Sequence, residues 1–416
     1  MIFTPGKPRK IIHCNLMQSA LGVIQNPLCA VVIHNTKSCS NVAWSAFQSL
    51  SNKYREITGK ANQDGFLFCT GLTNRDAVFG GNDKLRCCLM DISEELHPEV
   101  ILVICGCVPG IIGDDVEALC QEVENKTGIP IVLLPGNGFM VPGLVDTITS
   151  MSRILFDKWT VPYISLEKRT DTCLVAGLSP SYSSKEEYQE LMKVLRILGF
   201  KYIICPPVGT GRSDYVRAAS ASMVISFTRG AFLEKASIEN AYYMANRLDI
   251  PFIDWNHIIT PEKSQNAFMD VARFRNKEDA MKTYCCEQEK RLFGIIEKGK
   301  WLLNGKSCQI RLRITRQVNS LLKPIEFLRE MGIEDISVIL SDMISHADVK
   351  SIQSIIENKY SKIKMSRKES SADILLTSTP FDLRCSKEIM IPHCIGYAGW
   401  IDFFEKVLKK YGESHV

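Results

Sequence analysis

EVILVICGCVPGIIGDDVEAL, from Glu99 to Leu119, decides the fold. An apolar strand-like run ends at Cys105, glycine and proline turn the chain, and a helix-like run follows with Asp114 and Asp115 at its start. The same grammar occurs upstream. AVVIH ends at His34, a polar turn leads to Cys39, and a helical run continues through Phe47. A third cysteine, Cys14, opens a short apolar helical stretch. Strand, turn and helix in this order describe an α/β fold built on parallel sheets. In such a sheet the loops at the carboxyl ends of the strands gather around one crevice. Cys14, Cys39 and Cys107 are placed to meet there, each on a strand-to-helix turn or a helix start.

Thiolates are favoured at helix starts, where unpaired backbone N–H groups and the helix dipole stabilise negative charge. Three of them suit an iron–sulfur cluster. A four-iron cubane would still be one ligand short, which points to a fourth ligand from another chain. The neighbouring cysteines read differently. Cys105 lies on the strand and is expected to be buried, as free cysteine often is. A helix over Asp83–Leu96 puts Cys88 in one apolar stripe with Leu85, Leu89, Ile92 and Leu96, which is packing. The pairs Cys87-Cys88 and Cys285-Cys286 are expected to be packing thiols as well.

With 416 residues the chain exceeds one ordinary core. Apolar residues make up 45% and charged residues 23%, values of a soluble globular protein. The net charge of +4 and pI near 8.2 give no case for nucleic acid, because the basic residues are scattered. A short basic group at Lys362–Lys368 reads as a solvated face. No apolar run approaches the roughly 20 residues that span a bilayer, and the N-terminus has no signal-like apolar stretch. The 16 cysteines lack the spacing of a secreted scaffold, so a cytoplasmic location with reduced thiols is expected.

Strand and helix signals alternate to the end of the chain. The first unit has strands near Ala30–His34, Gly65–Cys69, Glu99–Cys105 and Ile129–Leu134. The second has Asp171–Ala176, Lys201–Cys205, Met223–Phe227 and Pro251–Asp254. The third has Ser307–Ile314, Asp335–Leu340 and Ala372–Thr377, and a last helix spans Gly399–Lys410. The expected division is 1–165, 166–290 and 291–416: three Rossmann-like, doubly wound parallel-sheet domains. Among other motifs, Gly209-Thr210-Gly211-Arg212-Ser213-Asp214 lacks the third glycine of a dinucleotide loop, and no Walker-type phosphate loop occurs. Any ATP-driven electron delivery would therefore need a separate protein.

The ordered set of Cys14, His34 with Cys39, Ala77-Val78-Phe79-Gly80-Gly81-Asn82-Asp83-Lys84-Leu85, and Cys107 with Gly110, Gly113, Asp114 and Asp115 resembles nitrogenase component 1 and its relatives, most of all their α-type chains. Gly177-Leu178-Ser179-Pro180, Ile250-Pro251-Phe252 and Gly396-Tyr397-Ala398-Gly399-Trp400 extend the likeness over nearly the whole chain. The resemblance implies a second, related or identical component-1-like chain and an iron–sulfur cluster, [4Fe-4S] or larger, shared at the interface. Cys14, Cys39 and Cys107 would be its ligands, with Gly80, Gly81, Gly110 and Gly113 shaping the loops around it. An ATP-hydrolysing iron protein would dock near the first domain and supply electrons.

The departures matter as much. The cofactor cysteine of nitrogenase would fall within MVISFTRGAFL, Met223 to Leu233, where there is none, and the cofactor histidine falls at Ala398. No iron–molybdenum-type cofactor is expected, and dinitrogen is disfavoured as substrate. The resemblance then implies a reductase of another small molecule or a tetrapyrrole, bound in a cleft between domains. His257, His393, Arg229 and Cys205 flank expected strand ends and are the cleft candidates for proton donation or substrate anchoring. The alternative is a non-catalytic scaffold on which a metallocofactor is assembled or carried.

Overall fold

The computed structural model describes residues 29–59, 66–136, 144–164, 167–177, 185–207, 209–228, 231–256, 260–312, 322–341, 346–360, 362–368, 371–378, 388–391 and 396–412, together with Leu16, Ser19, Ala20 and Ile344. Cys14, Arg229, His257 and His393 lie outside these residues.

The first sheet contains β1 (Cys29–His34), β2 (Phe66–Cys69), β3 (Val100–Cys105) and β4 (Ile131–Pro135) in the order β2-β1-β3-β4, all parallel. β1 and β3 are buried on both faces, and the parity of their side chains divides them between two cores. Val31, Ile33, Leu102 and Ile104 face one way, towards Ala43 of α1 (Lys37–Thr58). Ala30, Val32, Ile101 and Val103 face the other. They meet Leu85, Leu89 and Ile92 of α3 (Asn82–Leu96), which follows the short α2 (Asp76–Phe79). α1 leaves β1 on one face and α3 leaves β2 on the other, so the winding reverses between β1 and β3. That reversal opens a crevice at the carboxyl ends of these two strands.

Beyond β3, α4 (Cys107–Ile112) and α5 (Val116–Thr127) lead to β4, and α6 (Leu144–Trp159) completes the first face. α4 was expected as loop. Gly106, extended at φ −82° and ψ −169°, caps it, and Pro109 occupies the first turn, where a missing N–H costs nothing. Asp115, one of the two aspartates at the expected helix start, caps α5 by accepting from the Ala118 N–H at 3.1 Å.

The second sheet repeats the same permutation, β6-β5-β7-β8, with β5 (Thr172–Ala176), β6 (Tyr202–Ile204), β7 (Met223–Ser226) and β8 (Phe252–Asp254), again all parallel. The third has five parallel strands in the order β11-β10-β9-β12-β13: β9 (Cys308–Leu312), β10 (Ile336–Leu340), β11 (Lys364–Ser366), β12 (Ile374–Thr377) and β13 (Ile389–Met390). Its two outer strands, three and two residues long, carried no sequence signal.

Between the β strands of the second sheet run α7 (Lys185–Ile197), α8 (Arg212–Ala218) and α9 (Ala231–Leu248). After it come α10 (Pro261–Phe274) and the 25-residue α11 (Glu278–Leu302), and the third sheet adds α12 (Pro324–Glu330), α13 (His346–Lys359) and α14 (Ala398–Tyr411). The second and third sheets share one continuous core through α7, α10, α11 and α14. Its polar centre is Glu190, which accepts from Tyr284 Oη at 2.5 Å and from the backbone N–H groups of Tyr397 and Ala398 at 2.9 and 2.6 Å. A carboxylate from α7 thus satisfies the orphan donors at the start of α14. Burial pushes its carboxyl up, and the three hydrogen bonds oppose that rise. Gly396, at φ +77°, has no room for a Cβ against the same carboxylate.

Candidate functional site

The crevice between β1 and β3 carries the sulfur. His34 and Cys105 are register partners at the ends of these strands, and each is followed by a turn bearing a candidate thiol. Cys39 is the third residue of α1 and Cys107 the first of α4, and both are half-buried. A half-buried sulfur at a helix start is neither walled into the core nor fully solvated.

Asn35 links the two turns. Its side-chain N–H group donates to Cys39 Sγ at 3.3 Å. A Cβ at Gly106 would collide with the same carboxamide, with Asn35 Cγ only 2.5 Å away. The amide therefore lies against the backbone just before Cys107. Thr36, in the cap position of α1, makes no hydrogen bond to a helix N–H group, and its hydroxyl lies 3.8 Å from Cys39 Sγ.

Cys69, at the end of β2, was not singled out from sequence, because no helix-start pattern follows it. Its sulfur lies 3.6 and 3.9 Å from the carbonyls of Asn35 and Thr36 and accepts from the Gly71 N–H at 3.2 Å. It supports the turn that carries Cys39. Cys105 is half-buried, and burial, Asp114 and Cys107 push its thiol up to about 11. The expectation of wholly packed vicinal thiols holds for one member of each pair at most: Cys87 and Cys286 are exposed, because neighbours on a helix point about 100° apart.

A second layer sits below the sulfur. The fully buried His34 places Nδ1 3.0 Å from Thr70 Oγ1 and Nε2 3.5 Å from Asp114 Oδ2. Asp114 also accepts from the Gly81 N–H at 2.9 Å. A Cβ at Gly81 would stand 2.7 Å from Leu72 Cδ2 and 3.0 Å from His34 Cε1, and Gly80 adopts φ +92°. The Gly80-Gly81 pair thus lets backbone close over the His34–Asp114 contact. Gly113, at φ +78° and facing open space, ends α4 for conformational reasons alone. Gly110 differs from the expectation, since it is an exposed residue inside α4.

Cys14 lies outside the described residues, but Leu16 and Ala20 are buried in the cluster against which Cys39 packs. Among the described residues no group of three or more His, Cys, Asp or Glu side chains is gathered for a metal ion. Two described thiols on facing turns, with an amide donor to one of them, fit part of a thiolate ligand set.

Beside Cys107, α2 and α4 lie side by side and expose Val78, Phe79 and Ile111 at 75%, 81% and 67%. These three side chains form an exposed apolar group next to the crevice.

The cleft candidates fare differently. Arg229, His257 and His393 are outside the described residues, yet the loops leading to the first two are tied together. The Thr228 N–H donates to Asn256 Oδ1 at 2.8 Å, and Asn256 Nδ2 donates to Ser226 Oγ at 2.9 Å and Asp254 Oδ1 at 2.8 Å. Cys205 follows the edge strand β6, away from the β5–β7 reversal, and packs against the shared core. Gly209 to Asp214 leads into α8, where Asp214 accepts from the Gly211 N–H at 3.1 Å and the fully buried Tyr215 packs on Trp159. Among the described residues no helix is long and apolar enough to cross a membrane.

The chain aligns with the nitrogenase iron-molybdenum cofactor biosynthesis protein NifE of Clostridium pasteurianum at 24% identity, over 76% of this chain and 66% of that protein. The protein of the same name from Bradyrhizobium diazoefficiens is 24% identical over 91% of this chain and 70% of its own. A nitrogenase molybdenum-iron protein alpha chain from Methanosarcina barkeri is 31% identical, but over 27% of this chain and 21% of its own. In three dimensions the chain superposes on a solved structure described as nitrogenase Cp1 at pH 5, with a TM-score of 0.66 and 15% identity, covering 99% of this chain and 90% of the other. The family model for nitrogenase component 1 type oxidoreductase matches residues 14–410. The chain belongs to the nitrogenase component 1 type oxidoreductase family, and its three parallel sheets have that family's fold.

Proposed function

We propose that the chain is the α-type subunit of a nitrogenase-like reductase. It binds an iron–sulfur cluster through Cys14, Cys39 and Cys107 at the seam with a second component-1-like chain. The observation that carries this reading is the placement of Cys39 and Cys107 on facing turns at the strand-order reversal, with Asn35 between them. Such a cluster would accept and return single electrons, and the chain's part is to hold it, limit its contact with water and admit a reductase. The exposed Val78, Phe79 and Ile111 offer an apolar face for an ATP-hydrolysing iron protein close to the cysteines. Electrons would then pass to a small molecule or tetrapyrrole in an interdomain cleft. Arg229, His257 and His393 would be its anchors or proton donors.

A scaffold for assembling or carrying a metallocofactor is the second reading. It is favoured by two relatives named as cofactor biosynthesis proteins over 76% and 91% of this chain.

Anaerobic purification followed by iron and acid-labile sulfide assays tests the shared core of both readings. Bound iron and sulfide are expected, and colourless, iron-free protein would refute them. Steady ATP-dependent substrate reduction by the complex with its iron protein separates the two. Transfer of bound metal to a recipient without turnover would make the scaffold the better description.

A further inference from the structure

We infer that Asn35 tunes the reduction potential of the cluster and positions its Cys39 ligand, an inference that rests on the cluster reading above. Asn35 is 3% exposed. Its backbone is pinned at both ends: its N–H donates to Ile33 O at 3.1 Å, and its carbonyl accepts from the Leu72 N–H at 3.0 Å. The side chain has little freedom, because Gly106 backs it on one side and Cys39 Sγ lies 3.3 Å away on the other. The amide oxygen is buried and finds no hydrogen-bond partner among the described residues. A buried amide oxygen without a partner costs free energy, so the placement of this side chain calls for an explanation at its other end.

The chemistry of that other end is specific. An N–H directed at a thiolate sulfur withdraws electron density from it. The effect is larger for the reduced cluster, which carries one more negative charge, so the hydrogen bond stabilises the reduced form and raises the potential. Burial keeps water from screening the interaction. No bond forms or breaks at Asn35, and the electron supplied by the external reductant resides on the cluster.

The test is an EPR-monitored redox titration of anaerobically purified protein with dithionite as reductant, comparing wild type with Asn35→Leu, Asn35→Asp and Gly106→Ala. Asn35→Leu removes the donor and is expected to shift the midpoint to more negative potential. Asn35→Asp keeps the shape but replaces the donor with an anion, so its shift is larger in the same direction. Gly106→Ala retains Asn35 and pushes its amide off the sulfur, giving a shift like that of Asn35→Leu. A merely structural asparagine would leave the neutral Asn35→Leu variant at the wild-type midpoint, whereas an anion introduced beside the sulfur shifts it in either case. A wild-type midpoint in folded, iron-loaded Asn35→Leu overturns the inference and leaves the cluster reading intact. Wild-type protein without iron would overturn both.

Discussion

The first and second sheets share one strand permutation, and the loops at the carboxyl ends of their strands hold opposite chemistry. At the β1–β3 reversal stand Cys39 and Cys107, half-buried, with one amide donor between their turns and an apolar surface beside them. Across the second sheet, the ends of β7 and β8 are closed by Ser226, Asp254 and Asn256, which satisfy one another and the Thr228 N–H in a buried network. Topology provides the crevice, and the residues on its turns decide what it can do. The sulfur site leaves both thiols half-buried. The oxygen and nitrogen network is built to hold two loops at a fixed separation.

The largest expected effect breaks this contrast from the sulfur side. Cys107→Ala should lose most of the bound iron and the low-temperature EPR signal of dithionite-reduced protein, with little change in the urea midpoint. An unchanged signal would remove Cys107 from the ligand set. From the other side, Asn256→Leu should leave iron content intact and lower stability. It strands the buried Thr228 N–H, at about 1–3 kcal/mol for the group left unpaired, measured by urea unfolding, while Asp254 keeps the bonds from Ser226 Oγ and the residue-256 N–H. If Asn256→Leu abolished iron binding, the two sites would not be separable.

Gly81→Ala sharpens the first site alone. Its Cβ would press on Leu72 and His34, so a loss of about 1–3 kcal/mol is expected from overpacking. The urea midpoint checks it, and Gly113→Ala, with open space but positive φ, should cost about 1 kcal/mol. The smallest effect concerns pH. Burial holds the His34 imidazole below its ordinary value of 6.5, with Asp114 opposing. The unfolded chain then takes up this proton at higher pH than the native state. The stability it contributes is complete above about 6.5 and is lost as pH falls through the native value. Urea midpoints measured downward from neutral pH should fall less steeply in His34→Gln than in wild type.

Much of this was legible in the sequence. The apolar runs ending at His34 and Cys105, followed by turns and helical periodicity, announced parallel strands, and their turns located Cys39 and Cys107. Short segments were less readable: α4 looked like a loop because glycine and proline dominate it, and β11 and β13 are too short for a pattern. Cys69 gave no signal, since its role is to contact a turn 33 or 34 residues earlier in the chain.

From the sequence alone came the layering, the order of elements and the thiols that sit on strand exits, because these depend on local periodicity and on which residues can start a helix. The tertiary structure decided which turns face each other. Asn35 reaches Gly106, His34 reaches Thr70 and Asp114, and Glu190 reaches Tyr397 only once strand register and helix packing are set. Contacts between side chains distant in the chain are settled by the geometry of the packed sheets, to which local propensity is blind.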